Sequence, residues 1–69
     1  MLGEHDAVVL DVTPFRLHGV TYYDVAVRFA DLKVERTRLG PESVPADLRA
    51  GERVLATRAA NMVVSIRRP

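Results

Sequence analysis

The stretch Val20–Ala30 alternates without a break. Tyr23, Val25, Val27 and Phe29 fall on one side, and Tyr22, Asp24, Ala26 and Arg28 on the other. A period of two held this long puts successive side chains on opposite faces of a strand, whereas a helix would scatter the four apolar residues around its circumference. The segment therefore predicts a strand at the centre of a sheet, with one face buried. The rest of the chain has to supply the surface that buries it.

Residues 1–5 carry no periodic signal and are expected to form a flexible tail ahead of a domain spanning 6–69. Ala7–Thr13 predicts a first strand, with Val8, Leu10 and Val12 inward against Asp11 and Thr13. Pro14 cannot donate to a ladder and is expected to end that strand, leaving Phe15–Gly19 as a connection. Ala30-Asp31-Leu32 reads as a turn that lacks the Asn-Gly or Asp-Gly of a two-residue hairpin. Charge decides the register of Lys33–Leu39. With Val34 inward, Arg36 and Arg38 would be buried too, and two unpaired guanidinium groups cost far more than one valine gains. Leu39 and Thr37 are therefore expected inside, Glu35 at a rim, and Val34, Arg36 and Arg38 in solvent. This register requires an odd-length turn or a bulge near Asp31.

Pro41 and Pro45 exclude a regular strand or a long helix from Gly40–Gly51. A short helical turn between strands 3 and 4 is expected there, with Val44 and Leu48 plugging the end of the core. Arg53–Arg58 and Met62–Arg67 predict a fourth and a fifth strand, with Met62, Val64 and Ile66 on one face. Asn61, in the turn Ala59-Ala60-Asn61, is expected to take the left-handed conformation.

At 69 residues there is room for one domain only. Valine supplies eleven of them and isoleucine one, which favours strands. Five short strands without long helices cannot bury both faces of a flat sheet, so closure is expected. The fold class is all-β: a five-stranded antiparallel small barrel, OB-like, with an SH3-like barrel as the alternative. In the OB order the first strand pairs with the fourth and the fifth lies beside them.

The segments Tyr23-Asp24-Val25-Ala26-Val27-Arg28-Phe29 and Leu48-Arg49-Ala50-Gly51-Glu52-Arg53-Val54 resemble the second strand and the turn before the fourth strand of small OB-fold RNA-binding proteins, of the translation-initiation-factor and ribosomal-protein kind. The resemblance implies an RNA-binding barrel over residues 7–68. Such relatives carry a basic segment between the third and fourth strands, where this chain has Glu42 and Asp47.

An OB-type barrel binds single strands across the outer face of its second and third strands, by aromatic stacking and cations along the backbone. The candidates for single-stranded RNA or DNA are Tyr22, Arg28, Arg36 and Arg38, flanked by Arg58 and Arg67. The alternative partner is a protein or a second copy of the chain, docking on an outer apolar face made of Val9, Leu55 and Val63. No enzyme is expected. The chain has no cysteine, which excludes disulfides, thiolate metal sites and a thiol nucleophile. Ser43 and Ser65 have no supporting histidine, Glu42 and Asp47 fall on a solvated loop, and His5 and His18 alone do not make a metal site. No cofactor, metal, membrane or small-molecule substrate is expected, and the expected compartment is the cytoplasm.

Overall fold

The computed structural model describes residues 2–69, with Leu2 by its backbone alone. It is an all-β fold of five antiparallel strands: β1 (Leu2–Leu17), β2 (Val20–Phe29), β3 (Val34–Leu39), β4 (Arg53–Ala59) and β5 (Met62–Arg67). They form one sheet in the order β3-β2-β1-β4-β5.

β1 is far longer than expected and serves two neighbours. Leu2–Val8 pairs with Arg53–Ala59, and Ala7–Leu17 pairs with Val20–Phe29. Residues 2–5, expected to be frayed, are thus laddered to β4; Met1 lies outside the described residues. Pro14 does not end the strand. It stands opposite Tyr23 on a stretch of β1 that β4 no longer covers, so its missing N–H leaves no ladder bond unmade. The hairpin closes through His18-Gly19, both at positive φ (51° and 77°), the requirement of a two-residue type I′ turn.

Two bulges reset the phase of the alternation. In β1 the register shifts between Val9 and Asp11, leaving Leu10 as the extra residue. Val9 is 1% exposed, while Leu10 is exposed and Val8 points outward between Arg28 and Arg53. In β5 the shift places Val63 opposite Arg58 and Ser65 opposite Thr57, with Val64 extra. Val63 is therefore 1% exposed, Val64 is 39% exposed, and Met62 is exposed. Ile66 is buried as expected. The expectations for Val8, Leu10, Met62 and Val64 as core, and for Val9 and Val63 as surface, are overturned by these bulges. A strict period of two cannot show an inserted residue.

The registers of β2 and β3 are as expected. Val25, Val27 and Phe29 are buried with Tyr23 packed beside them, Leu39 is buried, Thr37 and Glu35 are half-buried, and Val34, Arg36 and Arg38 are exposed. The odd-length turn is present. Phe29 N–H donates to Lys33 C=O (2.9 Å) across a three-residue loop, in which Leu32 takes φ 69°. In the other short turn it is Ala60, at φ 56°, that takes the positive φ expected of Asn61.

The core is a valine cluster, Val9, Val25, Val27, Val54 and Val63, extended by Phe29, Leu39 and Ile66. One end is plugged by Val44 and Leu48, as expected. The plug carries no helical turn. It consists of successive tight turns, with N–H to C=O bonds Ser43 to Gly40, Leu48 to Pro45 and Glu52 to Arg49 (3.0, 3.3 and 3.3 Å). Gly40 and Val44 each precede a proline, which disfavours helical backbone there. Ile66 N–H bonds Ser43 C=O (2.8 Å), and Arg68 pairs with Glu52 (2.9 Å) and Asp47 (3.0 Å), tying the plug to the chain end.

The end strands β3 and β5 run parallel and touch, but no backbone ladder joins them. Side chains of β3 take its place at Val63. The Glu35 carboxylate accepts the Val63 N–H, and the Thr37 hydroxyl donates to the Val63 C=O at 3.2 Å. Arg58 pairs with Glu35 at 3.1 Å, and its guanidinium lies 5.0 Å from the Phe29 ring centroid. No helix among the described residues is long and apolar enough to cross a membrane.

The β5 bulge and the seam give separate expectations. Val63→Ala should cost about 2 kcal/mol by removing buried methyls and leaving a cavity, while Val64→Ala should cost under about 0.5 kcal/mol. Urea denaturation of the two variants checks the phase. Glu35→Ala orphans the Val63 N–H and leaves Arg58 unpaired, an expected loss of about 2 kcal/mol on the same assay.

Candidate nucleic-acid interface

Because β2 lies between β1 and β3, its outward residues have cross-strand neighbours on both sides. Arg28 stands between Val8 and Val34, Ala26 between Asp11 and Arg36, and Asp24 between Thr13 and Arg38. Tyr22 faces Phe15 of β1, and Val8 is followed on its other side by Arg53 of β4. Each row follows from one rule: the residues flanking buried Val25 and Val27 must point the other way.

Four of the six residues proposed from the sequence share this face: Tyr22, Arg28, Arg36 and Arg38. Their states differ. Arg28 and Arg36 are exposed, and no ion pair or side-chain hydrogen bond engages either among the described residues. Arg38 is engaged. Its Nε and Nη2 fork onto the Asp24 carboxylate at 2.7 and 3.1 Å, and its guanidinium sits 4.2 Å from the centroid of the Phe15 ring. The hydrogen-bonded guanidinium holds the Asp24 carboxyl below its ordinary range, and the carboxylate in turn raises Arg38.

Arg58 and Arg67 lie elsewhere. Arg58 is opposite Gly3, at an end of the sheet where it lines a cleft with His5, Asp6, Phe29 and Asp31. Its Nε is buried without a hydrogen-bond partner. Arg67, opposite Leu55 on β4, forks onto the Glu4 carboxylate and draws that carboxyl below its ordinary value. Neither joins the outer β2–β3 face: Arg58 turns to the seam, onto Glu35 and the Phe29 ring, and Arg67 is held by Glu4.

The apolar face proposed for a protein partner does not exist as such. Val9 and Val63 are core residues, and only Leu55 of the three stays on the outer side, half-buried between Asp6 and Arg67. His5 packs edge-on against Phe29, with centroids 6.2 Å apart, and His18 lies in the β1–β2 turn, most of a strand away.

Two residues of the face are not evident from the sequence pattern alone, Phe15 and Arg53. Phe15 becomes a strand residue once Pro14 is accepted within an uncovered edge, and it then supplies a second aromatic beside Tyr22. Its signal was the alternation of Phe15 and Leu17 leading into a residue-glycine pair. Arg53 joins only because β1 pairs with β4 while also pairing with β2. Two clefts open on the face. One, of about 460 Å³, lies among Asp11, Asp24, Arg36 and Arg38; the other, of about 250 Å³, lies among Val8, Arg28, Leu32 and Arg53.

Comparison with known proteins gives no match: no family model, no curated protein and no solved structure matches this chain.

The carboxyls of Glu4, Asp24, Asp47 and Glu52 are all held low, each by a hydrogen-bonded arginine first: Arg67, Arg38, Arg68 and Arg68 respectively. A folded-state value below the unfolded one means the unfolded chain binds more protons as the pH falls between the two. This part of the stability is therefore complete above the ordinary values of 4.5 for Glu and 3.8 for Asp and is lost on acidification below them. Thermal melts should show a Tm flat from about pH 7 to about pH 5 and falling below that. The fall should shrink in about 0.5 M salt, because these pairs are exposed.

Proposed function

We propose that the protein is a non-catalytic binding module, an OB-like small barrel that takes single-stranded RNA or DNA across the outer face of β1, β2 and β3. The OB-like reading is supported by the pairing of β1 with β4 and by the parallel approach of β3 and β5 at Val63. An SH3-like barrel would place its helical turn before the last strand, where this chain has only Ala60-Asn61.

The observation that carries the ligand reading is the cross-strand pair Phe15–Tyr22 on the same face as the unpaired Arg28 and Arg36. Aromatic rings give a sequence-tolerant platform for bases, and guanidinium forks bind phosphate oxygens. From Tyr22 to Arg28 the strand runs about 20 Å, the length of a few extended nucleotides. Asp24 has a positioning role here, acting through Arg38. It fixes the Arg38 guanidinium plane over Phe15, so the plane's free side extends the stack to a base.

Fluorescence anisotropy with labelled oligouridylate and oligothymidylate, at several salt concentrations, tests this. Binding should weaken with salt, and Arg28→Ala and Arg36→Ala should each lower the salt slope by about one. Phe15→Ala and Tyr22→Ala should weaken binding by about tenfold with the slope unchanged. Arg67→Ala should bind as wild type. Absence of salt-sensitive binding below the high-micromolar range ends this reading.

A further inference from the structure

Leu32 occupies a backbone conformation that its side chain opposes. At φ 69° it is left-handed, the position of a three-residue hairpin loop that glycine fills without steric penalty. Its side chain gains no burial in return, being 73% exposed, the most exposed of the large apolar residues among those described. Neither the loop nor the core explains a leucine here. Its surroundings point outward to a ligand. Leu32 lines the smaller cleft of the face with Val8, Ala30, Arg28, Arg53 and Asp6. Arg28 and Arg53 carry no ion pair among the described residues, so the cleft joins an apolar wall to two free guanidinium groups, with Asp6 as its one carboxylate.

A ligand that satisfies both has a flat apolar part and a nearby anion, as a nucleotide does. We propose that Leu32 is a base-contacting residue: it packs against the base at one end of the bound single strand, while Arg28 and Arg53 hold the adjoining phosphates. This rests on the nucleic-acid reading and extends it past the aromatic pair to the β2–β3 hairpin. The strained leucine is then an apolar wedge of the kind that packs on unstacked bases.

Leucine and glycine make opposite demands, and that separates the role from a structural one. Leu32→Gly should raise Tm by roughly 2 to 6 °C, because strain is relieved and no buried contact is lost. It should also weaken oligouridylate binding by about fivefold with an unchanged salt slope, since no phosphate contact is removed. Leu32→Asn, which tolerates the same backbone, should weaken binding similarly, and Leu32→Met should restore it. If wild type binds and Leu32→Gly binds equally well, this inference falls while the wider reading stands. If wild type does not bind, both fall. A lower Tm in Leu32→Gly, or wild-type self-association in sedimentation that Leu32→Gly abolishes, would assign the leucine to the fold or to a protein contact and overturn the proposal.

Discussion

The seam at Val63 constrains both sides of the sheet. Two strand ends that never form a backbone ladder are held together because Glu35 and Thr37 satisfy the N–H and C=O of one residue across the gap. An unpaired backbone group in the interior costs as much as a lost hydrogen bond, so the two side chains replace what a ladder would supply. Glu35 can lie half-buried because Arg58 neutralises it, and Arg58 in turn rests over Phe29 of the core wall. The same contacts fix the outer face. With Glu35 and Thr37 turned inward, the period of two obliges Val34, Arg36 and Arg38 to turn outward. Arg36 and Arg38 of the candidate interface thus owe their orientation to the bonds that hold β3 against β5.

The bulge at Leu10 has a matching role on the other side of β2. Up to Val8 the strand ladders with β4, and beyond it Val9 bonds the approach to β4 through Glu52 and Gly51 (2.9 and 2.7 Å) before β1 continues with β2 alone. A bulge bends the strand and increases its twist, which a single strand shared between two neighbours requires. It also inverts the phase. Without the extra residue, Val9 inward would bring Asp11, Thr13 and Phe15 inward as well. With it, Asp11, Thr13 and Phe15 face outward beside Ala26, Asp24 and Tyr22. The exposed Leu10 is the local cost of that inversion.

Much of this was legible in the residues, and the reason is physical. β2 alternates strictly with charge on one side only, and β3 sets both of its arginines opposite Thr37 and Leu39, so burial energy selects a single register, and the odd-length turn before Val34 follows from it. The plugs Val44 and Leu48 were legible for the same reason, as isolated aliphatic residues among prolines and acids. What the sequence hid lies wherever one residue breaks the period. Val8-Val9-Leu10 and Met62-Val63-Val64 are apolar in either phase, so composition cannot say which residue is the extra one. The apolar outer face built on Val9 and Val63 failed at that point. Phe15 was hidden differently: whether Pro14 ends a strand depends on whether a neighbour needs its N–H, and that is a property of the whole sheet.

The near-neutral chain charge of +1 gives little guide to the field a ligand would meet. Five of the nine acids, Glu4, Asp24, Glu35, Asp47 and Glu52, are taken up by Arg67, Arg38, Arg58 and Arg68. These contacts lie on separate parts of the fold; three are one-to-one pairs, while Arg68 is shared between Asp47 and Glu52. Charges separated by more than a Debye length of about 10 Å at ordinary salt barely sense each other, so the sum over the chain is felt nowhere. Arg28, Arg36 and Arg53, which form no ion pair among the described residues, set the potential over the candidate face, against Asp6 and Asp11. On this face three arginines stand against two aspartates, and that local balance, not the chain total, is what an approaching charge meets.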